Sequence, residues 1–452
     1  MSTPPALALA AYPEPPATLG YRFPAEWEPH AGTWMGWPQR PDNWRDHAVH
    51  VQRAFVAVAT AIAQFEQVTV CANAEQVATA RAALPGQVKV VCVAQDDSWF
   101  RDTGPTFVVK EEGGGQRSVA GVDWQFNAWG GEEGGLYDSW DRDQALDLAW
   151  IFRLLLQMRG LRRFECPIVM EGGSIHLSRA EIEVWLRSML GVQTVIWLPR
   201  GLYADDDTNG HIDNFACFAR PGVVLLAWTD DESDPQVLML GGGGGCWGKS
   251  PGAVIKLPLP PPLHITEEEA AGVEVVPGSK ARVAGDRLAG SYANFYLCNG
   301  GVVVPAFGGE AAEADERARR VLADVFPERR VVPVQSREIL LGGGNIHCVT
   351  QQEPAAATAT HRGTMSYWKP PAALYPLFFT FAAAGYCVAW SGLRQLRSNP
   401  DVHLTKAHRT DGAAEEGTTL RRAEEYGHSM FRHFYTMRKG DNERPDTRIM
   451  RW

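Results

Sequence analysis

The sequence predicts an α/β fold built from repeated strand-and-helix units around a central site, and two internal echoes predict it. The first is a glycine run that occurs twice. Glu171-Gly172-Gly173-Ser174-Ile175-His176 and Gly343-Gly344-Asn345-Ile346-His347-Cys348 share the core Gly-Gly-(Ser/Asn)-Ile-His, and the later copy is preceded by Leu340-Leu341-Gly342. One copy carries a distinctive carboxylate, Glu171, and the other a thiol, Cys348. Different reactive groups at the tips of one scaffold are expected where repeats converge on a site. Taken alone, the run is equally compatible with glycine turns before buried strands and an inert core cysteine. The second echo runs from Asn214-Phe215 through Pro221-Gly222 into Val223–Trp228, and again from Asn294-Phe295 through Gly300-Gly301 into Val302–Phe307. Each reads as strand, tight turn, strand, and similarity at long spacing marks repeat or propeller architecture.

The remaining elements follow in chain order. Residues 1–20 form a loose, Pro- and Ala-rich tail with no Lys or Arg before Arg22, unlike a signal or Arg-rich transit peptide. A largely apolar strand is predicted over Val88–Val93, and a helix over Ala180–Leu190 directly after the first glycine run. Leu238–Gly252 is glycine-rich low complexity. Helical stretches are predicted at Ile265–Ala270 and at Glu310–Phe326, the latter with Ala318, Val321, Leu322 and Val325 on its apolar side. Beyond Pro354, Ala372–Trp390 is an apolar run interrupted by Pro376, barely long enough to span a bilayer. It is read as part of an extension on a soluble enzyme, and the polar remainder as a flexible tail.

The 452 residues include 45% hydrophobic side chains and 16 tryptophans, enough for a sizeable core. Lys and Arg total 43 against 53 Asp and Glu, a formal charge of -10. That balance argues against nucleic acid or an anionic membrane as partner and favours a cationic ligand. The 8 cysteines include no Cys-x-x-Cys, so a disulfide framework and structural zinc are not expected, and reduced thiols in the cytoplasm fit best.

Two polar clusters bear on chemistry. Asp96-Asp97-Ser98-Trp99-Phe100-Arg101-Asp102 follows the Val88–Val93 strand; it suits a cation at a strand-end loop or a solvated turn with a local Arg101–Asp102 pair. In Gly210-His211-Ile212-Asp213-Asn214, a strand would project His211 and Asp213 to one side. His beside a carboxylate is suited to proton transfer, but a metal-ligand or surface pair fits the same residues. Asp205-Asp206-Asp207 reads as a charged loop. A thiol, a His with an Asp nearby, and carboxylates on separate segments suit attack on a planar cation, and a guanidinium matches paired carboxylates.

Several longer stretches resemble the agmatine deiminase (agmatine iminohydrolase) family, related to bacterial-type peptidylarginine deiminases. They are Glu26–His30, Trp37-Pro38 with Arg40–Trp44, Asp97–Phe107, Gly121–Gly131, Glu171–His176, Trp197–Phe218 and Gly342–Gln352, in the family's order from about Pro24 to Pro354. The resemblance implies a five-bladed α/β propeller of the pentein type over residues 21–354, with neither metal nor organic cofactor, and a homo-oligomer. It implies Cys348 as nucleophile and His211 as general acid/base, with Asp213 and Asp97 clasping the guanidinium and Glu171 supporting His211. Asp102, Trp124 and Asn345 fall inside matching motifs and are expected to shape the pocket. The implied reaction converts agmatine to N-carbamoylputrescine and ammonia through an amidino-cysteine adduct, a step of putrescine and polyamine biosynthesis.

The chain departs from the family in three places: a strand and loop are missing after His176, Leu238–Gly252 replaces a helix, and residues 355–452 form an extension of unknown structure, partly disordered. Two other readings fit the same residues, a non-catalytic guanidine- or polyamine-binding relative and a manganese ureohydrolase. The second leaves Cys348 without a role.

Overall fold

The computed structural model describes residues 14–131, 136, 160–171, 179–198, 200–208, 210–237 and 253–356. All belong to the first of two compact units, residues 1–360. The glycine-rich 238–252 stretch, the extension from residue 357 and the apolar Ala372–Trp390 run lie outside the described residues.

In chain order the regular elements are β1 (His30–Gly36), α1 (Val49–Ile62), β2 (Val68–Ala72), α2 (Val77–Ala83), β3 (Lys89–Cys92), β4 (Thr106–Gly113), β5 (Gln116–Gln125), β6 (Arg162–Val169) and α3 (Arg179–Leu190). They continue with β7 (Ala216–Arg220), β8 (Val223–Trp228), β9 (Ala253–Pro258), β10 (Leu263–His264), α4 (Glu267–Ala271), β11 (Arg287–Leu288), β12 (Tyr296–Cys298), β13 (Gly301–Ala306), α5 (Ala312–Val325), β14 (Arg330–Gln335) and β15 (Thr350–Pro354).

One wiring recurs. An antiparallel pair is followed by a third strand parallel to the second: β4–β5–β6, β7–β8–β9 and β12–β13–β14. The two hairpins that the echo predicts turn on Gly222 (φ +74) and Gly300 (φ +79), a left-handed conformation that glycine reaches without a Cβ penalty. The fourth sheet has the same logic with its ends exchanged. β15 pairs antiparallel with β1, and β1 runs parallel to β2, which runs parallel to β3. The last described strand thereby pairs with the first, with His30 opposite Pro354. Among the described residues, β10 and β11 form only a two-stranded sheet, and a fifth sheet of the recurring kind is not seen.

Helices join neighbouring sheets. α1 buries Val51, Ala54, Phe55, Val58 and Ile62 at helical spacing and packs on β13 and β14 of another sheet. α5 buries Ala314, Ala318, Leu322 and Val325 and packs on β14 and on β9. α4 starts with a capping box between Thr266 and Glu269. Two large apolar clusters result, and the second glycine run crosses between them. Leu340 and Leu341 belong to one, Ile346, Cys348 and Val349 to the other.

Two expectations are corrected. His211–Asn214 is not a strand: Ile212–Asn214 is a 3-10 turn that starts at His211. The turn still buries His211 and Asp213 while Ile212 stays 40% exposed. Asp205–Asp207 is the charged loop expected, with Asp206 exposed but its two neighbours engaged. Asp205 is buried and accepts from Thr208 and Asn214, and Asp207 pairs with Lys280 and Arg282. Within the expected tail, Pro16–Leu19 is a 3-10 turn with Pro16 buried.

Candidate active site

Four segments, attached to three of the sheets, supply the site. The four-residue helical turn Phe100–Thr103 carries Asp102, Glu171 follows β6, the Ile212–Asn214 turn carries Asp213 with His211 at its start, and Cys348 sits immediately before β15. Each is a loop at the end of a rigid element, where reactive groups usually lie. The glycine run is held by its neighbours. A Cβ at Gly343 (φ +104) would come 2.7 Å from Asp207 Cβ, and one at Gly344 would come 2.7 Å from Trp99 and 3.1 Å from Cys348 Sγ.

Cys348 is 3% exposed. Its Sγ lies 3.4 Å from Asp213 Oδ2 and 3.1 Å from Asn294 Nδ2. His211 Nε2 lies 3.2 Å from Glu171 Oε2, and its Nδ1 lies 3.9 Å from Asp102 Oδ2. Behind this cluster, His347 Nδ1 is 2.8 Å from Asp213 Oδ2 and its Nε2 is 2.8 Å from Glu26 Oε1. A carboxylate only accepts, so two carboxylates on one ring require both N–H groups, and His347 is an imidazolium. Arg101 completes the layer, donating to Gln352 at 2.8 Å and lying 3.5 Å from Glu26.

The electrostatics follow. Burial, with Asp213 and Asp102 next to it, pushes the Cys348 thiol well above its usual range. Burial lowers the His211 pKa, but Asp102, Glu171 and Asp213 outweigh it and raise it to about 9. Burial raises Asp97 and Asp102 to about 6 each, against the opposing pull of Arg40 on the first and His211 on the second. For Asp213 burial is outweighed chiefly by His347, and the carboxyl stays ionised below the usual range. Asp97 Oδ2, Asp102 Oδ1 and Asp213 Oδ1 are buried without a hydrogen-bond partner among the described residues. Buried carboxylate oxygens are costly unless paired; a bound cation would pair them.

The structure therefore brings together Cys348, Asp213, Asp102, His211 and Glu171. Asp97 is buried nearby in sequence, accepting from the Ser98 N–H at 2.7 Å, and its charged neighbours are Arg40, Asp42 and Asp96. The Asn345 side-chain oxygen accepts from the Ile346 N–H at 2.9 Å, and its Nδ2 is buried without a partner among the described residues. Trp124 donates to Thr106 Oγ1 at 2.9 Å and packs with the core cluster of Val108, Phe164 and Trp185. The Arg101–Asp102 pair is absent, because Asp102 accepts from Trp129 at 3.0 Å instead. Sequence reasoning missed His347, Asn294 and the Glu26–Arg101 layer as site residues, although all stand inside the echo or the matching motifs. The carboxylate beside His211 is Glu171, not the Asp213 that the strand argument favoured.

The family model described as Porphyromonas-type peptidyl-arginine deiminase matches residues 22–178 and 176–354, and the match breaks where α3 follows the first glycine run. The agmatine deiminase of Stutzerimonas stutzeri is 50% identical over 75% of this chain and 97% of its own length. That of Medicago truncatula is 48% identical over 75% of this chain and 98% of its length. The solved agmatine deiminase of Enterococcus faecalis superposes with a TM-score of 0.70 at 35% identity, over 76% of this chain and 98% of that one. A second family model, NADH-ubiquinone reductase complex 1 MLRQ subunit, matches residues 368–416, outside the described residues. No described helix is long and apolar enough to cross a membrane. On the strength of the match over residues 22–354 and the shared fold, the chain belongs to the agmatine deiminase family of hydrolases.

Proposed function

We propose that the protein hydrolyses the guanidinium of agmatine to N-carbamoylputrescine and ammonia, with Cys348 as nucleophile. One observation carries the reading: a buried thiol lies 3.4 Å from an ionised Asp213, in a site where Asp213 and Asp102 each keep a carboxylate oxygen unpartnered. Such a site fits a planar cation with several N–H donors, and the named relatives are agmatine deiminases.

The chemistry follows from the charges. In the free protein the carboxylates hold Cys348 as a thiol. A guanidinium on Asp213 and Asp102 neutralises them, and the thiol gives up its proton to solvent as the cation binds, the proton that later turns the released ammonia into ammonium. The thiolate adds to the guanidinium carbon. His211, an imidazolium at neutral pH, gives its proton to the departing nitrogen; the C–N bond breaks and ammonia leaves, with an amidino-cysteine behind. The neutral imidazole, held by Glu171, then takes a proton from water. The hydroxide adds to the same carbon, the C–S bond breaks as the new hydroxyl proton passes to the departing sulfur, and the neutral urea product leaves with the thiol and the His211 imidazolium restored. Asp97 and Asn345 are assigned to the guanidinium pocket, and Trp124 to shaping it from β5. The larger frame is a five-bladed propeller over residues 21–354 in a cytoplasmic homo-oligomer serving putrescine synthesis.

The test is purified protein with agmatine, measuring ammonia, urea and N-carbamoylputrescine. Ammonia and N-carbamoylputrescine in equal amounts, an adduct on Cys348 in quenched samples, no turnover by Cys348→Ser, and indifference to EDTA are expected. Urea release restored by manganese after chelation, or turnover by Cys348→Ser, overturns the reading.

A further inference from the structure

We propose that Asn294 is a catalytic residue, one whose amide N–H holds the Cys348 sulfur and stabilises it as a thiolate. The inference rests on Cys348 being the nucleophile. Asn294 is fully buried and stands on the loop before β12, at the head of the second echo. Two independent constraints fix which way its amide faces. Its Oδ1 lies 2.9 Å from the His347 backbone N and 3.4 Å from that of Cys348, both donors only. On the other end, Nδ2 lies 2.8 Å from Asn214 Oδ1. Asn214 is itself oriented, because its Nδ2 donates to Asp205 Oδ2 at 3.2 Å and to Thr208 Oγ1 at 3.0 Å, leaving only its oxygen for Asn294. Both constraints put the Asn294 NH2 group towards the sulfur, 3.1 Å away.

One hydrogen of that group serves Asn214 at 2.8 Å; the other faces Cys348 Sγ at 3.1 Å, with the Asp213 carbonyl oxygen a longer alternative at 3.4 Å. The Asn294 amide is thus a fixed donor facing the atom that becomes negative. Preorganised donors aimed at developing charge in a dry site are a large catalytic effect, and losing one costs roughly 10²–10³ in kcat elsewhere. Here the donor opposes Asp213 and Asp102, which penalise the thiolate. The paired asparagines of the repeat thus form a relay from the buried Asp205 to the reacting sulfur.

The test is the substitution series Asn294→Asp, Asn294→Ser and Asn294→Ala, read by alkylation of Cys348 with neutral iodoacetamide in substrate-free protein from pH 7 to 9, quantified on the Cys348 peptide. Asn294→Asp keeps the oxygen facing the two backbone N–H groups and replaces the donor at sulfur with an acceptor. Alkylation at least about 10-fold slower than wild type is expected at each pH, with kcat on agmatine lowered about 10²-fold or more and KM changed far less. Asn294→Ser, which keeps a donor, should alkylate faster than Asn294→Ala at similar melting temperature. Should Asn294→Asp fail to fold, the serine–alanine pair decides. Equal alkylation rates for serine and alanine, or a folded aspartate variant as reactive as wild type, overturn the role of Asn294. Agmatine turnover by Cys348→Ser would overturn the functional reading and leave the alkylation result standing.

Discussion

Asp213→Asn should move two observables in opposite directions. At the 3.4 Å that separates Asp213 Oδ2 from Cys348 Sγ, two unit negative charges repel by about 5 kcal/mol at an effective dielectric constant of about 20. The His347 imidazolium, 2.8 Å from the same oxygen, cancels much of that. A remainder of about 1.4–2.8 kcal/mol corresponds to roughly 10- to 100-fold more thiolate once the charge is removed. Substrate-free Asp213→Asn should therefore be alkylated at Cys348 about 10- to 100-fold faster than wild type at pH 8. The same change deletes a charged partner of the guanidinium, a loss of about 1.5–3 kcal/mol, so kcat/KM for agmatine should fall roughly 10- to 150-fold. The assay is iodoacetamide labelling of the Cys348 peptide beside steady-state turnover, with a melting curve to establish folding. A folded variant labelled no faster than wild type would refute the claim that Asp213 holds the resting cysteine as a thiol.

Other perturbations test the rest. Asp97 and Asp102 lose their charge below about pH 6 and His211 loses its proton above about pH 9, so kcat/KM should be bell-shaped with limbs near those values; a profile flat from pH 5 to 10 contradicts the assignment. Gly343→Ala forces a Cβ onto Asp207 at φ +104 and should cost roughly 1–3 kcal/mol, seen as a lower Tm and slower turnover; an unchanged Tm removes the argument for a strained loop. Arg117 donates through its backbone N to Ala356 O and through Nε to Ala355 O. A chain cut after Ala356 should keep the Tm and turnover of the full chain, whereas one cut after Pro354 should lose about 1.5–3 kcal/mol of stability, and equal Tm values for the two would show that the contacts contribute nothing.

What could be read from the sequence was local or repeated. α5 and α4 were visible as apolar stripes and acidic starts, the β7–β8 and β12–β13 hairpins as β-branched runs around a glycine, and Cys348 and Glu171 as the differing tips of one motif. What could not be read was long-range. Nothing in the periodicity of His30–Gly36 announces that β15 will pair with it, since strand partners are set by the whole fold. The strand argument for His211 and Asp213 reached the correct burial with the wrong backbone, because a 3-10 turn and a strand can both hide two residues and expose the one between. Asn214 and Asn294 were seen as markers of repetition; their direct contact depends on how two sheets meet, which no local pattern encodes. His347 was passed over for a similar reason, its charge being fixed by Glu26, a residue from the far end of the chain.

The pairing of β1 with β15 also fixes the order of events in synthesis. β1 emerges early from the ribosome with one edge unpaired, and its partner follows only after roughly three hundred further residues, a closure that makes folding slow because its loop entropy comes before its reward. Cys348 lies just ahead of β15, so the thiol reaches its carboxylates only as that final strand docks. A nascent chain then carries His211 and the acidic groups for most of its elongation with no Cys348 beside them. The cluster is completed only with closure of the first sheet, and the exposed edge of β1 is the segment most open to mispairing until then.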